Sequence, residues 1–280
     1  TTTINMLTGM ARITDGRVYY NGVDLTRDIK KAQEIIGIVA DESNLYDEMS
    51  GFDNLCFCGS LYGLSRRNRE HRASFLLNEF QLKDVSKNKF RTYSKGMKRK
   101  LTIAAALIHD PQILFLDEPT SGIDITSVRQ IREMIKRLNK NGTTVFLTTH
   151  YIEEAERLCN RVAFINKGEI IKIDSVGNLI NATKEGTIVE VVFESYSGDI
   201  NELIGKLRKR FPGLDCRPGT GGMIRLTALD KIDISPVVNF LSMENIFITE
   251  ARLLRPTLED AFVKMTGIEP DIMKKEKEKK

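Results

Sequence analysis

Two adjacent carboxylates, Asp117 and Glu118, close the apolar run of "ILFLDEPTSGID". Paired acids at the end of such a run suit a magnesium–nucleotide site. One orders the metal, usually through water because the small ion keeps its hydration shell, and the other polarises an attacking water. Taken alone, the pair reads as well as a strand end capped by two solvated acids. Asp124 follows in "SGID", and "TTVFLTTH" closes a second apolar run on His150. A lone histidine there is more often a satisfied surface group than a catalytic one. Upstream, "YSKGMKRKLTIAAALIHDP" sets Ser94-x-Gly96 ahead of a helix, where exposed backbone N–H groups and the helix dipole attract phosphate.

These groups need elements that bring them to one place. Strand and helix signals alternate through the first two-thirds of the chain. "EIIGIVA", "PQILFLDEP" and "TTVFLTTH" read as buried strands, and "SVRQIREMIKRLNKNG" as a helix with apolar Val128, Ile131, Ile135 and Leu138. Continuous apolar strands interleaved with helices predict an α/β fold, a parallel sheet covered on both faces that binds ligands at its carboxyl edge. "GRVYYNGVDL" and "RVAFINKGEIIKI" read as hairpins turning at Asn21-Gly22 and Asn166-Lys167-Gly168. Residues 50–105 are helical and amphipathic, with Ser50-x-x-Asp53 as a capping pair. After "NATKEG" a βαββαβ order over residues 187–267 predicts a small α+β, ferredoxin-like domain. The expected domains are therefore 1–182, 187–267 and a charged, disordered tail over 268–280.

Composition narrows the function. The 280 residues carry a formal charge of +4, and the tail "KKEKEKK" holds most of it, so the remainder is nearly neutral and no specific nucleic-acid partner is expected. No apolar run approaches the roughly 18 residues that spanning a membrane requires. Cys56, Cys58, Cys159 and Cys216 form no metal-ligand spacing and read as small residues of a reducing compartment.

In order along the chain, "YSKGM", "ILFLDE", "SGID" and His150 resemble the signature, Walker B strand, D-loop and switch histidine of ATP-binding-cassette (ABC) ATPases. The resemblance covers residues 1–179 and implies a P-loop NTPase core with a helical subdomain at about 50–105. It implies ATP and Mg2+ as ligands: Asp117 orders the metal, Glu118 is the general base and His150 senses the γ-phosphate. Ser94 and Gly96 contact the γ-phosphate held by the opposite subunit, Lys95 adds charge facing it, Met97 completes that nucleotide-binding signature, and Asp124 belongs to the D-loop. Lys95 and Met97 stand where the family pattern has glycine and glutamine. Ala40-Asp41 stands where it has Pro-Gln, which makes the Asp41 carboxylate a candidate magnesium contact in place of the glutamine. "TTTINMLTGM" resembles the continuation of a Walker A loop, G-x-x-x-x-G-K-[ST], into its helix. That implies Thr1 as a magnesium-ligating hydroxyl and Thr2 facing the α-phosphate. It also implies a chain truncated within Walker A, weak in ATP binding and hydrolysis where the full-length parent is an active ATPase.

"PTLEDAF" after the βαββαβ order resembles the accessory domain of daunorubicin-resistance-type exporter ATPases. The implied partners are a second ABC ATPase subunit, head to tail as homo- or heterodimer, and a separate transmembrane permease. The implied location is the cytoplasmic face of the membrane, peripheral through the permease. Tyr46, Phe52, Phe57 and Tyr62 lie in the region that receives the permease's coupling helix in such transporters, and each reads equally as packing of the helical subdomain. A soluble ABC ATPase acting on ribosomes or nucleic acid, and a catalytically inactive binding fragment, are the alternatives.

Overall fold

The computed structural model describes residues 1–183, 186–194, 196, 198–219, 222–229 and 232–268, and the chain forms two compact units, Thr1–Glu154 and Ala155–Lys280. The charged tail expected at 268–280 lies, from residue 269 on, outside the described residues.

In the first unit, α1 (Thr2–Thr8) precedes a two-stranded hairpin, β1 (Tyr19–Tyr20) and β2 (Val23–Asp24), then α2 (Ile29–Gln33) and β3 (Ile36–Val39). The hairpin turns where expected: Asn21 and Gly22 both have left-handed backbone, φ 50° and 80°, as a tight two-residue turn requires. The helical region comprises α3 (Gly51–Leu61), α4 (Arg66–Glu79) and α5 (Lys95–Ala106). Serine side chains cap all three, Ser50, Ser65 and Ser94 accepting from the N–H three residues on. Strand β4 (Ile113–Asp117), helix α6 (Ile125–Lys140), strand β5 (Thr144–Thr148) and helix α7 (Ile152–Leu158) follow.

Strands β3, β4 and β5 form a parallel sheet with β4 in the middle. Its register aligns Val39 with Leu116 and Asp117 with Thr148, so all three strands end at one edge. Leu114, Phe115 and Leu116 are buried, the pattern of a strand covered on both faces. Helix α5 lies against β3 and buries every residue from Arg99 to Ala106. Helix α6 starts two residues before the apolar periodicity does, because Asp124 caps it through the N–H of Ser127, 2.9 Å away.

In the second unit, β6 (Arg161–Asn166) and β7 (Glu169–Ser175) pair as the expected hairpin, with Lys167 and Gly168 at φ 49° and 84°. Helix α8 (Val176–Asn181) leads to β8 (Thr187–Phe193), α9 (Ile200–Arg210), β9 (Asp215–Pro218), β10 (Met223–Ala228), α10 (Ser235–Met243), β11 (Ile248–Leu254) and α11 (Leu258–Thr266). The four later strands make an antiparallel sheet ordered β11-β8-β10-β9, the ferredoxin-like arrangement expected from βαββαβ. Its core uses alternate β8 residues, Val189, Val191 and Phe193, against Leu203, Leu207, Val237 and Leu241 of the helices. Helix α11 packs instead on α8 and the β6–β7 hairpin, with Phe262 edge-on to Phe164 at 5.3 Å. A Thr257–Asp260 capping box starts it, and Glu156 accepts the N–H of Leu258 at 2.9 Å.

On the opposite sheet face Glu190 is buried between two arginines, receiving Arg225 at 2.7 Å and Arg252 at 2.9 Å. Those hydrogen bonds hold its carboxyl below the usual glutamate value, so the pairing stabilises the fold above about pH 4.3 and fades as the pH drops through the lower native value. Glu190→Gln should therefore lower the urea midpoint of the second unit at pH 7, with the difference shrinking towards zero as the pH is taken below about 4. Denaturation followed at both pH values checks it.

Candidate active site

Parallel pairing places the ends of three strands side by side, and hydrogen bonds lace them together. The Thr148 hydroxyl donates to Asp117 Oδ1, the Glu118 N–H donates to the Thr148 carbonyl at 3.1 Å, and His150 Nδ1 lies 2.8 Å from Glu118 Oε2. Below them Thr120 Oγ1 donates to Glu154 Oε1 at 2.7 Å, and Arg132 Nε approaches the same oxygen at 3.3 Å. Glu154 is wholly buried, so the first turn of α7 is fixed to the turn after Glu118. Asp117 and Glu118 are only 4% and 8% exposed, which distinguishes them from the solvated strand cap that local sequence allowed.

Thr1 joins this group, its hydroxyl hydrogen-bonded to the Asp117 carboxylate. Burial pushes the Asp117 carboxyl up, and hydrogen bonds from the Thr148 and Thr1 hydroxyls work against that by favouring the carboxylate. Thr2 is exposed at the start of α1. Asp41 follows β3 at the same edge and is exposed, and its backbone carbonyl accepts a hydrogen bond from Arg99 of α5 at 3.1 Å. Among the described residues no three His, Cys, Asp or Glu side chains converge as a metal cluster. Magnesium needs only one or two carboxylates beside phosphate oxygens, and an ionised Asp117 beside a threonine hydroxyl is a hard oxygen set of that kind.

The second group lies where α5 meets α6. Ser94 and Lys95 are exposed, Met97 is half-buried and Gly96 is buried. Ser94 Oγ accepts the N–H of Met97 at 3.2 Å. Gly96 touches the start of α6 so closely that a Cβ would lie 2.1 Å from Ser127 Oγ and 2.9 Å from Asp124 Oδ2. Glycine is thus required here by packing, and Asp124 serves as the α6 cap within that junction.

One residue of the site escapes local sequence reading. Arg99, in the basic run Lys98-Arg99-Lys100, is buried, and all five of its N–H groups go to backbone carbonyls. Nε donates to Pro119 at 3.1 Å, one terminal nitrogen to Ala40 and Asp41, and the other to Asp117 and Glu118. A five-donor arginine so placed is visible only once the sheet edge is assembled.

The aromatic group divides. Tyr46 and Phe57 pair edge-on at 5.2 Å, Tyr62 stacks on His109 at 3.6 Å, and Phe52 lines a cleft of about 780 Å³ with Phe75, Leu77, His71, Lys83 and Lys87. Burial pushes the Cys56 thiol up to about 11, in keeping with an inert cysteine.

Residues 1–121 match the sequence family described as ABC transporter. The linearmycin resistance ATP-binding protein of Bacillus subtilis (strain 168) is 35% identical over 276 residues, spanning 95% of this chain and 85% of its own length. A daunorubicin resistance ATP-binding protein of Streptomyces coeruleorubidus is 32% identical over 268 residues, spanning 95% and 83%. Among solved structures, a dimeric ATP-binding cassette in a post-hydrolysis state with ADP and phosphate aligns with TM-score 0.57 at 25% identity, over 62% of this chain and 79% of that one.

The tight α5–α6 junction has a measurable consequence. Gly96→Ala forces a methyl into Ser127 and should cost about 1–3 kcal/mol of stability. Lys95→Ala, at an exposed position, should stay within about 0.5 kcal/mol of the parent. Chemical denaturation of the two variants compares them directly.

Proposed function

The chain belongs to the family of ABC transporter ATP-binding proteins, drug-resistance exporter class, and is an ATPase subunit; from that premise we propose how its residues divide the work. The observation carrying the proposal is the buried pair at the end of β4, with Glu118 held 2.8 Å from His150 and Asp117 receiving the Thr148 hydroxyl. Water attacks the γ-phosphorus of bound ATP in line as the bond to the β-phosphate oxygen breaks and ADP leaves, and the reaction depends on positioning and charge neutralisation. Glu118 accepts the proton of that water, and His150, on the neighbouring strand end, orients Glu118 and reports on the γ-phosphate. Asp117 and the Thr1 hydroxyl would hold a magnesium ion, which would supply charge neutralisation at the phosphate oxygens. Thr2 faces the α-phosphate, and Asp41 contributes an oxygen at the rim.

The Ser94–Met97 turn serves a second copy or a sister subunit. Ser94 and Lys95 are exposed at the start of a 12-residue helix and face away from the Gly96 contact. A head-to-tail dimer would set them against the γ-phosphate of the opposite site, with Lys95 adding positive charge, and Asp124 beside them at the dimer seam. The transmembrane partner would be a separate permease that holds the protein on the cytoplasmic face of the membrane, a reading supported by its likeness to the resistance ATP-binding proteins. The cleft between α3 and α4, lined by apolar Phe52, Phe75 and Leu77 together with Lys83, Lys87 and Asp53, suits an amphipathic helix. The ferredoxin-like module, with a core drawn from residues 189–246, is proposed as the accessory domain of this exporter.

Two measurements test these assignments. In the protein purified with its permease, Glu118→Gln should reduce kcat for ATP by about 10²–10⁴-fold while ATP still binds; turnover near the parent rate would remove Glu118 from the role of base. Phe75→Asp should leave the fold intact, since Phe75 is 49% exposed, and release the subunit from its permease in co-purification. Undiminished co-purification would place the permease elsewhere.

A further inference from the structure

The backbone at Glu118 is left-handed, φ 49°, a conformation that is unfavourable for a non-glycine residue and persists only where the surroundings fix it. Three successive carbonyls, those of Asp117, Glu118 and Pro119, turn towards one point and end on the guanidinium of Arg99. In an extended strand successive carbonyls point to opposite sides, so their convergence and the left-handed turn are the same fact. The other two N–H groups of Arg99 hold Ala40 and Asp41, at the end of β3. No carboxylate oxygen takes part. Burial works against the arginine's charge, and the nearby charges of Asp41, Asp117 and Glu118 oppose that penalty.

We propose that Arg99 is a positioning residue for ATP hydrolysis: its fork fixes the left-handed backbone of Glu118 and thereby aims the base, and it couples that aim to the Asp41 loop and to the helix that begins at Ser94. This rests on Glu118 being the base. A residue so placed touches neither nucleotide nor water. Its effect is confined to where the Glu118 carboxylate points, and to how far a shift of α5 or of the Asp41 loop moves it. Lysine cannot replace it, because an ammonium on a flexible stem presents three donors from one point and cannot reach five carbonyls spread over two loops.

The test uses Arg99→Lys and Arg99→Met in the protein purified with its permease, with Glu118→Gln alongside. Kinetics are normalised to the number of ATP-binding sites measured in each preparation, so that loss of folded protein does not count. Both Arg99 variants should lower kcat by at least tenfold with KM for ATP within about twofold. Amide hydrogen exchange should accelerate together in peptides covering 40–43 and 117–121, with the β8–β11 sheet unchanged. Normal normalised kcat in Arg99→Lys, or exchange unaltered at 117–121, would overturn the proposal. Faster exchange at 117–121 in both variants, with Glu118→Gln still turning over ATP, would keep Arg99 as the backbone clamp and remove Glu118 as the base.

Discussion

Everything at the candidate site depends on β4 being paired in parallel on both sides. Parallel strands in register end at one edge, so the residues that follow β3, β4 and β5 become neighbours although the chain separates them widely. Leu114, Phe115 and Leu116 of β4 are buried on both faces of the sheet, so the strand is held between its two neighbours by packing as well as by its backbone pairing. The polar groups then sit at the end of a buried strand, where their hydrogen bonds are less screened than in water.

At that edge the interactions are arranged in a ladder down the two later strands. Thr148 meets Asp117, His150 meets Glu118, and Glu154 meets Thr120. The first keeps a carboxylate ionised, the second orients one, and the third anchors the helix that carries the histidine's segment. Arg99 ties the same strand end to the loop after β3 from the other side. The site is therefore braced from both flanks by contacts to backbone and side chain, and Arg132 shares the load at Glu154.

Much of this was legible in the sequence because periodicity is local. The three apolar strands, both hairpin turns and the βαββαβ order of the second unit each carry their signal within a dozen residues, and the structure has them there, except that β5, expected to be buried, pairs on one side with β4 and leaves Phe146 39% exposed. The pair Asp117-Glu118 and the histidine at the next strand end were visible for the same reason. Arg99 was not, since its partners lie 18 to 59 residues away and its neighbours Lys98 and Lys100 give it the look of a solvated basic run. The early start of α6 at Asp124 and the packing need at Gly96 were hidden for a related reason: each depends on how close two helices approach, a distance no spacing in one segment encodes. The last helix, α11, read as the end of the accessory module, packs on the hairpin and α8, because its apolar side is Leu258, Ala261 and Phe262 and that is where an apolar surface is available.

Exposure alternates sharply along the turn at Ser94: two outward residues, then a buried glycine. The outward positions set what charge and hydrogen-bonding groups the turn offers to a partner, while the glycine sets how near two helices stand. Those two properties can drift independently. A lysine next to the serine changes the electrostatic offer and leaves the helix spacing as it was, so a turn that departs from the family's usual residues in its chemistry can still keep the same shape.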